Sequence, residues 1–463
     1  MSDFDYDIVI IGGGPGGYPA AIYAKRKGLK VALIEKNIIG GTCLNVGCIP
    51  TKSLLQSANL YKEFANSDLF GISAENVSFD WAKVVGRKDE VVQGLTSGVS
   101  MLLGFHGVDV YSGYGMIVDK NTVKVKSEEE TLLTTEYIII ATGSKPTVVP
   151  VPGHSLEGVI TSNEALSLDK LPKSLVVVGG GVIGVELAYV FNAFGVEVTI
   201  IEMLPNILMG QDEDAAGIVK SSLQSKGVDI FTSAKLTSIE KAASGLEVNF
   251  ETDSEQHNLI ADQVLMATGR KPNLEIVEES SLDFNCEKTG IVVDEYLRTN
   301  IPNIYAIGDV TGKIMLAHVA THQALTAVNN ILGNTEKMTY DIVPSCIYLH
   351  PELASVGLTE KEAIKSKGEV LVGKFNFGGN GKAKILNQSE GFVKIICDKK
   401  YQEILGVHIV GPTATELIAE AVLAMELECT AEELAKAIHA HPTLSESVME
   451  SAQNLMGYSI HGV

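Results

Sequence analysis

Residues 5–36, DYDIVIIGGGPGGYPAAIYAKRKGLKVALIEK, pass from an unbroken apolar stretch through a glycine turn and an alanine-bearing segment to a second apolar stretch that ends in Glu35. Apolar runs without alternation mark strands covered on both faces, so the pattern predicts a strand, a helix and a parallel second strand. The same pattern returns over residues 173–202, KSLVVVGGGVIGVELAYVFNAFGVEVTIIE, with Glu202 at the corresponding end. Two nucleotide-binding βαβ units in tandem are therefore predicted, giving an α/β chain with Rossmann-like domains. Shorter echoes, IIIATGSKP at 138–146 and VLMATGRKP at 264–272, each set an apolar strand before a Thr-Gly turn and mark a boundary after each unit. The proline-bearing VVPVPG reads as a linker. From about residue 342 the pattern changes to shorter alternating strands, such as GFVKIICD and EILGVHIVG, followed by the helical ATELIAEAVLAMELECTAEELAKAIHA. This last part is predicted to be a separate α+β domain.

Composition sets the surroundings. The 463 residues are 45% apolar and 20% charged, enough for about three domains with large cores. A formal charge of −21 opposes binding to a phosphate backbone, and runs such as EYIIIATG fall short of the ~20 apolar residues of a membrane span. Nucleic acid and membrane are excluded as expected partners, whereas a basic protein would be attracted. Six cysteines are too few for a disulfide scaffold, and MSDFDYDIVIIGGG lacks a basic n-region and a cleavage site, which predicts reducing cytoplasm.

The glycines carry the first chemical signal. Gly12, Gly14 and Gly17 have the G-x-G-x-x-G spacing that tightens a turn, admits a pyrophosphate to the backbone and lets a helix pack on its strand. Glu35, about 20 residues on, can accept hydrogen bonds from ribose hydroxyls. Gly179, Gly181, Gly184 and Glu202 meet the same demands. Two dinucleotide sites on one chain suggest electron transfer between two dinucleotides, one of them a flavin. A third element, TNIPNIYAIGD at 299–309, delivers Gly308 and Asp309 after an apolar strand, and an acid there can hold the hydroxyls of a ribityl chain. At the second site Glu202 repels a 2′-phosphate, and no Arg or Lys from Met203 to Val219 could receive one. NAD is expected there rather than NADP.

The stretch GGTCLNVGCIPTK, residues 40–52, holds Cys43 and Cys48 five positions apart. A regular helix separates such residues by about 7.5 Å along its axis, beyond the roughly 7 Å Cα spacing a disulfide tolerates, so a bond between them needs a bend, which Gly47 could supply. It would close a very short loop worth only about 2 kcal/mol. A redox role is the stronger reading.

Taken with the two glycine turns, ATG, ATGR, AIGD, MLAH at 315–318 and HAHPTLSE at 439–446, this stretch makes the chain resemble the flavoprotein disulfide reductases nearly end to end. The CLNVGCIPTK form with Glu202 resembles the dihydrolipoamide dehydrogenase branch. The tail MGYSIHGV lacks the paired cysteines of mercuric reductases. Cys346 stands where relatives more often have a small aliphatic residue, and is read as a free thiol.

The resemblance implies an FAD-binding domain over 1–146, an NAD-binding domain over 147–269, a segment 270–341 completing the FAD-binding domain, and a dimerisation domain over 342–463. It makes Cys43 and Cys48 the redox-active disulfide, Cys43 exchanging with substrate and Cys48 facing the flavin. It makes His441 the base, oriented by Glu446, and pairs Lys52 beside the flavin with Glu186. His439 is read as structural. FAD contacts are assigned to Gly12, Gly14, Gly17, Glu35, Thr42, Lys52, Gly115, Thr142, Gly143, Asp309 and Ala317. NAD contacts are assigned to Gly179, Gly181, Gly184, Glu186, Glu202 and Gly269, with no metal. The His441–Pro442 bond is expected to be cis. The implied partners are a second copy, giving a homodimer with sites completed by both chains, and the lipoyl-bearing component of a 2-oxo acid dehydrogenase complex or the glycine cleavage H protein. Reduction of another disulfide by NADH is the rival activity. A flavin-binding interaction protein without turnover is the rival class, which the pairing of two cysteines with His441 and Glu446 opposes.

Overall fold

The computed structural model describes residues 4–253 and 255–462. Strand β1 (Tyr6–Ile11) buries Ile8, Val9 and Ile10 completely, as its unbroken apolar run requires. Helix α1 (Gly17–Arg26) follows the glycine turn, and β2 (Val31–Glu35) lies parallel to β1 with Ile8 opposite Val31. Two helices, α2 (Gly41–Val46) and α3 (Cys48–Ala65), leave the end of β2. Strands β3 (Asp109–Ser112), β4 (Tyr114–Asp119), β5 (Thr122–Lys126) and β6 (Thr131–Ile140) extend the sheet in the order β3-β2-β1-β6-β5-β4.

The second unit repeats the plan. Its strands are β7 (Val159–Thr161), β8 (Ser174–Val178), β9 (Glu197–Ile201), β10 (Asp229–Phe231) and β11 (Gln263–Met266), in the parallel order β10-β9-β8-β11-β7. Helix α4 (Val182–Ala193), between β8 and β9, is apolar almost all round and buried. After this unit the chain returns to the first sheet: β12 (Ile304–Ala306) pairs in parallel with β6, Ile304 opposite Ile138. Helix α5 (Ala317–Ile331) then packs against α1.

The remaining strands, β13 (Ser345–Ile347), β14 (Glu352–Gly357), β15 (Val370–Asn376), β16 (Phe392–Asp398) and β17 (Ile404–Gly411), form an antiparallel sheet in the order β13-β14-β17-β16-β15. Helix α6 (Ala414–Glu426) packs on β14 and β17, and α7 (Glu446–Leu455) on β15 and β16. The expected alternation in β16 and β17 is not realised as burial: both strands are covered on both faces. The helix Glu213–Ser225 of the second unit reaches β14 and β17, so a face that would meet water in an isolated sheet meets protein. Lys394 on β16 is buried there and ion-paired with Asp212 (3.0 Å), Asp214 (3.1 Å) and Glu360 (2.7 Å). Burial works against its charge, yet the three carboxylates hold its pKa above the ordinary lysine value. His441–Pro442 is cis, as the resemblance implied; His350–Pro351, for which no expectation was formed, is cis as well. Among the described residues no helix is long and apolar enough to cross a membrane.

Candidate active site

The two glycine turns are built alike. A Cβ on Gly17 would stand 1.7 Å from the carbonyl oxygen of Gly12, and one on Gly184 would stand 2.0 Å from that of Gly179. Any side chain at these positions would push the helix off its strand. Each terminal acid is fixed by the turn it faces. Glu35 accepts the N–H groups of Gly13 (2.7 Å) and Asn37 (2.8 Å); Glu202 accepts those of Gly180 (2.6 Å) and Leu204 (2.7 Å). A carboxylate has about four lone-pair sites, so each keeps acceptor capacity for a ribose hydroxyl.

The cysteines sit where two helices meet. Gly47, at φ −144° and ψ −112°, ends α2 and starts α3 at Cys48, which supplies the bend that a straight helix lacks. Both cysteines are free thiols and hydrogen-bond to each other. That bond, with the charge of Lys52, lowers the Cys48 pKa to about 7, while the same bond and burial push Cys43 up. Of the two sulfurs, Cys48 is the one that ionises more readily. Lys52, one turn along α3, reaches both carboxylate oxygens of Glu186, at 2.8 and 3.0 Å. Glu186 is the acid of α4 and only 3% exposed; it also accepts the N–H of Tyr348 at 2.9 Å. One carboxylate thus ties the first unit, the second unit and the C-terminal domain together.

The His441–Glu446 pair is formed within the chain. Glu446 opens α7, accepts His441 Nδ1 at 2.9 Å with one oxygen and the N–H of Thr443 at 2.8 Å with the other. Burial raises the Glu446 pKa, but these hydrogen bonds outweigh it and hold the group below the usual carboxylate range. The His441 side chain is 78% exposed.

A cavity of about 1510 Å³ is lined by Cys43, Cys48, Lys52 and Glu186 and by parts of both glycine turns. Gly12, Gly14, Glu35, Thr42, Gly115, Thr142, Gly143, Asp309 and Ala317 line it, as do Gly181 and Gly269. Gly17, Gly179, Gly184 and Glu202 are outside the lining and act on it through the turns they shape. Neither His441 nor Glu446 lines it, so a single chain brings the cysteines to Lys52 and Glu186 but not to the histidine pair. Cys346 does line it, with a pKa pushed up to about 11 by burial and by Glu352 and Glu416, which makes it a poor nucleophile. Reading the sequence passed over Arg270, the last residue of the ATGR echo. Its guanidinium donates to the hydroxyl (2.8 Å) and carbonyl (2.8 Å) oxygens of Ser144 and to Thr42 Oγ1 (3.3 Å). Ser144 in turn donates to Asp309 at 2.5 Å, so Arg270 spans from the second Thr-Gly turn to the residue before Cys43.

The lining fits a dinucleotide. Gly12 and Gly14 leave the backbone of the first turn open to a pyrophosphate, and Glu35 lines the cavity with acceptor capacity to spare. The N-terminus of α5, at Ala317, presents the positive end of a helix dipole to the same space.

Comparison with known proteins agrees over the whole length. The profile described as pyridine nucleotide-disulphide oxidoreductase matches residues 6–324, and the dimerisation domain of the same family matches residues 343–452. A dihydrolipoyl dehydrogenase of Bacillus subtilis (strain 168) is 43% identical, covering 99% of each chain. One from Geobacillus stearothermophilus is 41% identical over all of this chain and 99% of its own. Among solved structures, the HOCl-induced flavoprotein disulfide reductase RclA from Escherichia coli superposes with a TM-score of 0.86 at 31% identity, covering 96% of this chain and 98% of that one.

Proposed function

The chain belongs to the pyridine nucleotide-disulphide oxidoreductase family, and from that premise we propose that it oxidises protein-bound dihydrolipoamide to lipoamide and reduces NAD+. It is a flavoprotein disulfide oxidoreductase of a family that uses FAD and NAD(H), and its dimerisation domain supports a homodimer. The observation that carries the finer reading is the placing of Cys43 and Cys48, with the Lys52–Glu186 pair, on a cavity bounded by both glycine turns.

In the proposed reaction His441, supplied by the partner copy, takes the proton of one dihydrolipoamide thiol. The resulting thiolate attacks Cys43 Sγ; a substrate–Cys43 bond forms as the Cys43–Cys48 bond breaks, and Cys48 leaves as a thiolate. The second substrate thiol attacks the substrate sulfur of this mixed disulfide, closes lipoamide, and releases Cys43, which takes up that thiol's proton. The enzyme then holds two electrons and two protons, as a Cys43 thiol, a Cys48 thiolate and a protonated His441. The Cys43-to-Cys48 hydrogen bond and the lowered Cys48 pKa suit that form. The chemistry that bound FAD supplies is transfer of the electron pair, as hydride, to NAD+. Gly12, Gly14, Glu35, Asp309 and Ala317 would hold the flavin, with Gly17 keeping their turn tight; Gly181 would meet the NAD on a turn shaped by Gly179 and Gly184, with Glu202 at the end of the next strand to receive its ribose. The substrate arrives on the lipoyl-bearing component of a 2-oxo acid dehydrogenase complex or of the glycine cleavage system, in reducing cytoplasm.

Steady-state turnover with dihydrolipoamide and NAD+, set against NADH-driven reduction of glutathione disulfide and other disulfides, tests the assignment. Dihydrolipoamide should be preferred; faster turnover of any alternative disulfide overturns it.

A further inference from the structure

His439, read from the sequence as structural, has an environment that only one protonation state satisfies. Its side chain is 8% exposed, and both ring nitrogens face acceptors: Nδ1 is 3.0 Å from the carbonyl oxygen of Ala437, and Nε2 is 2.7 Å from Glu420 Oε1 on α6. A neutral imidazole has one N–H and leaves one of these contacts unmade; the imidazolium makes both. Glu420 from α6 and Glu446 from α7 are the charged groups that act on it. The hydrogen bond to Glu420 holds its pKa above the ordinary histidine value, against the opposing effect of burial.

We propose that His439 is a positioning residue, a buried imidazolium that pins the turn before His441 to α6 and sets the pH range over which the His441–Glu446 pair accepts a proton. Glu446 feels both histidines. A neutral residue at 439 would remove one of the two cations that bear on Glu446, which favours proton uptake by the pair in such a variant. This rests on His441 being the base of the dithiol reaction.

Nitrogen-15 NMR of histidine in the full-length, FAD-loaded wild-type dimer should find both nitrogens of His439 protonated at neutral pH. His439→Gln should move the acid limb of the kcat/KM profile for dihydrolipoamide oxidation to higher pH by about half a unit, and His439→Lys should return it toward the wild-type position. A single protonated nitrogen at neutral pH overturns the proposal. So does a His439→Gln enzyme with lower kcat and an unmoved acid limb, the mark of a merely structural residue. The NMR signature does not depend on the substrate, so a wrong dihydrolipoamide assignment would leave it intact and be recognised separately.

Discussion

Lys52 shows how much one side chain does from one place. From a single turn beyond Cys48 it neutralises Glu186, which is buried, and lends its charge to the Cys48 thiolate. Removing the cation disfavours the thiolate, so in Lys52→Met the Cys48 titration should move up from its position near 7. At neutral pH less thiolate is then present; the ultraviolet thiolate absorbance of the reduced protein, followed across pH, reads this directly, and an unchanged titration would remove Lys52 from that role. His441→Ala deletes a general base, whose loss costs typically about 10²- to 10⁴-fold. Steady-state dihydrolipoamide oxidation should fall within that range, and a near-normal rate would assign the proton to another group. Cys43, Cys48, Lys52, His441 and Glu446 were all legible because each belongs to a short motif. Arg270 was missed although it follows Gly269 in a motif already singled out, because its partners Ser144 and Thr42 lie far off in sequence.

At the level of elements, the strand–turn–helix of each glycine turn is a local object and was readable as one. Its tightness predicts an asymmetry between variants. Gly17→Ala places a methyl group against the Gly12 carbonyl and should yield protein that purifies with little FAD, or is destabilised by at least about 2 kcal/mol. Gly184→Ala makes the equivalent clash with Gly179 in the other unit, and should keep its flavin while its KM for NAD+ rises. Flavin absorbance of the purified proteins and NAD+ kinetics distinguish the two; the reverse pattern would exchange the cofactors assigned to the two turns. The strands β16 and β17 mark where element reading fell short. Helix Glu213–Ser225, more than a hundred residues away, lies against β17, and Asp212 and Asp214 at its start reach Lys394 of β16; periodicity carries no information about such a cover.

At the scale of the whole molecule, His441 and Glu446 stand outside the cavity that holds the cysteines, which supports a site completed by two copies. Refolding an equimolar mixture of Cys48→Ser and His441→Ala chains should then recover about a quarter of wild-type activity, since random pairing makes half the dimers mixed and each has one intact site. No recovery, with mixed dimers demonstrated, would mean that each chain completes its own site. The sequence by itself determined what depends on neighbours along the chain: the two nucleotide turns and their acids, the cysteine pair with its bend, and the histidine motif. These follow from local sterics, spacing and residue chemistry, which need no distant partner to be recognised. Only the tertiary structure decided which groups share a charge or a proton. It added the Tyr348 N–H to the Lys52–Glu186 pair that the resemblance had implied, closed Arg270 onto Ser144 and Thr42, buried Lys394 among three carboxylates, and gave His439 two acceptors. The physical reason is that electrostatic and hydrogen-bond energies depend on distance and burial in space, and the fold brings together residues that no sequence window contains.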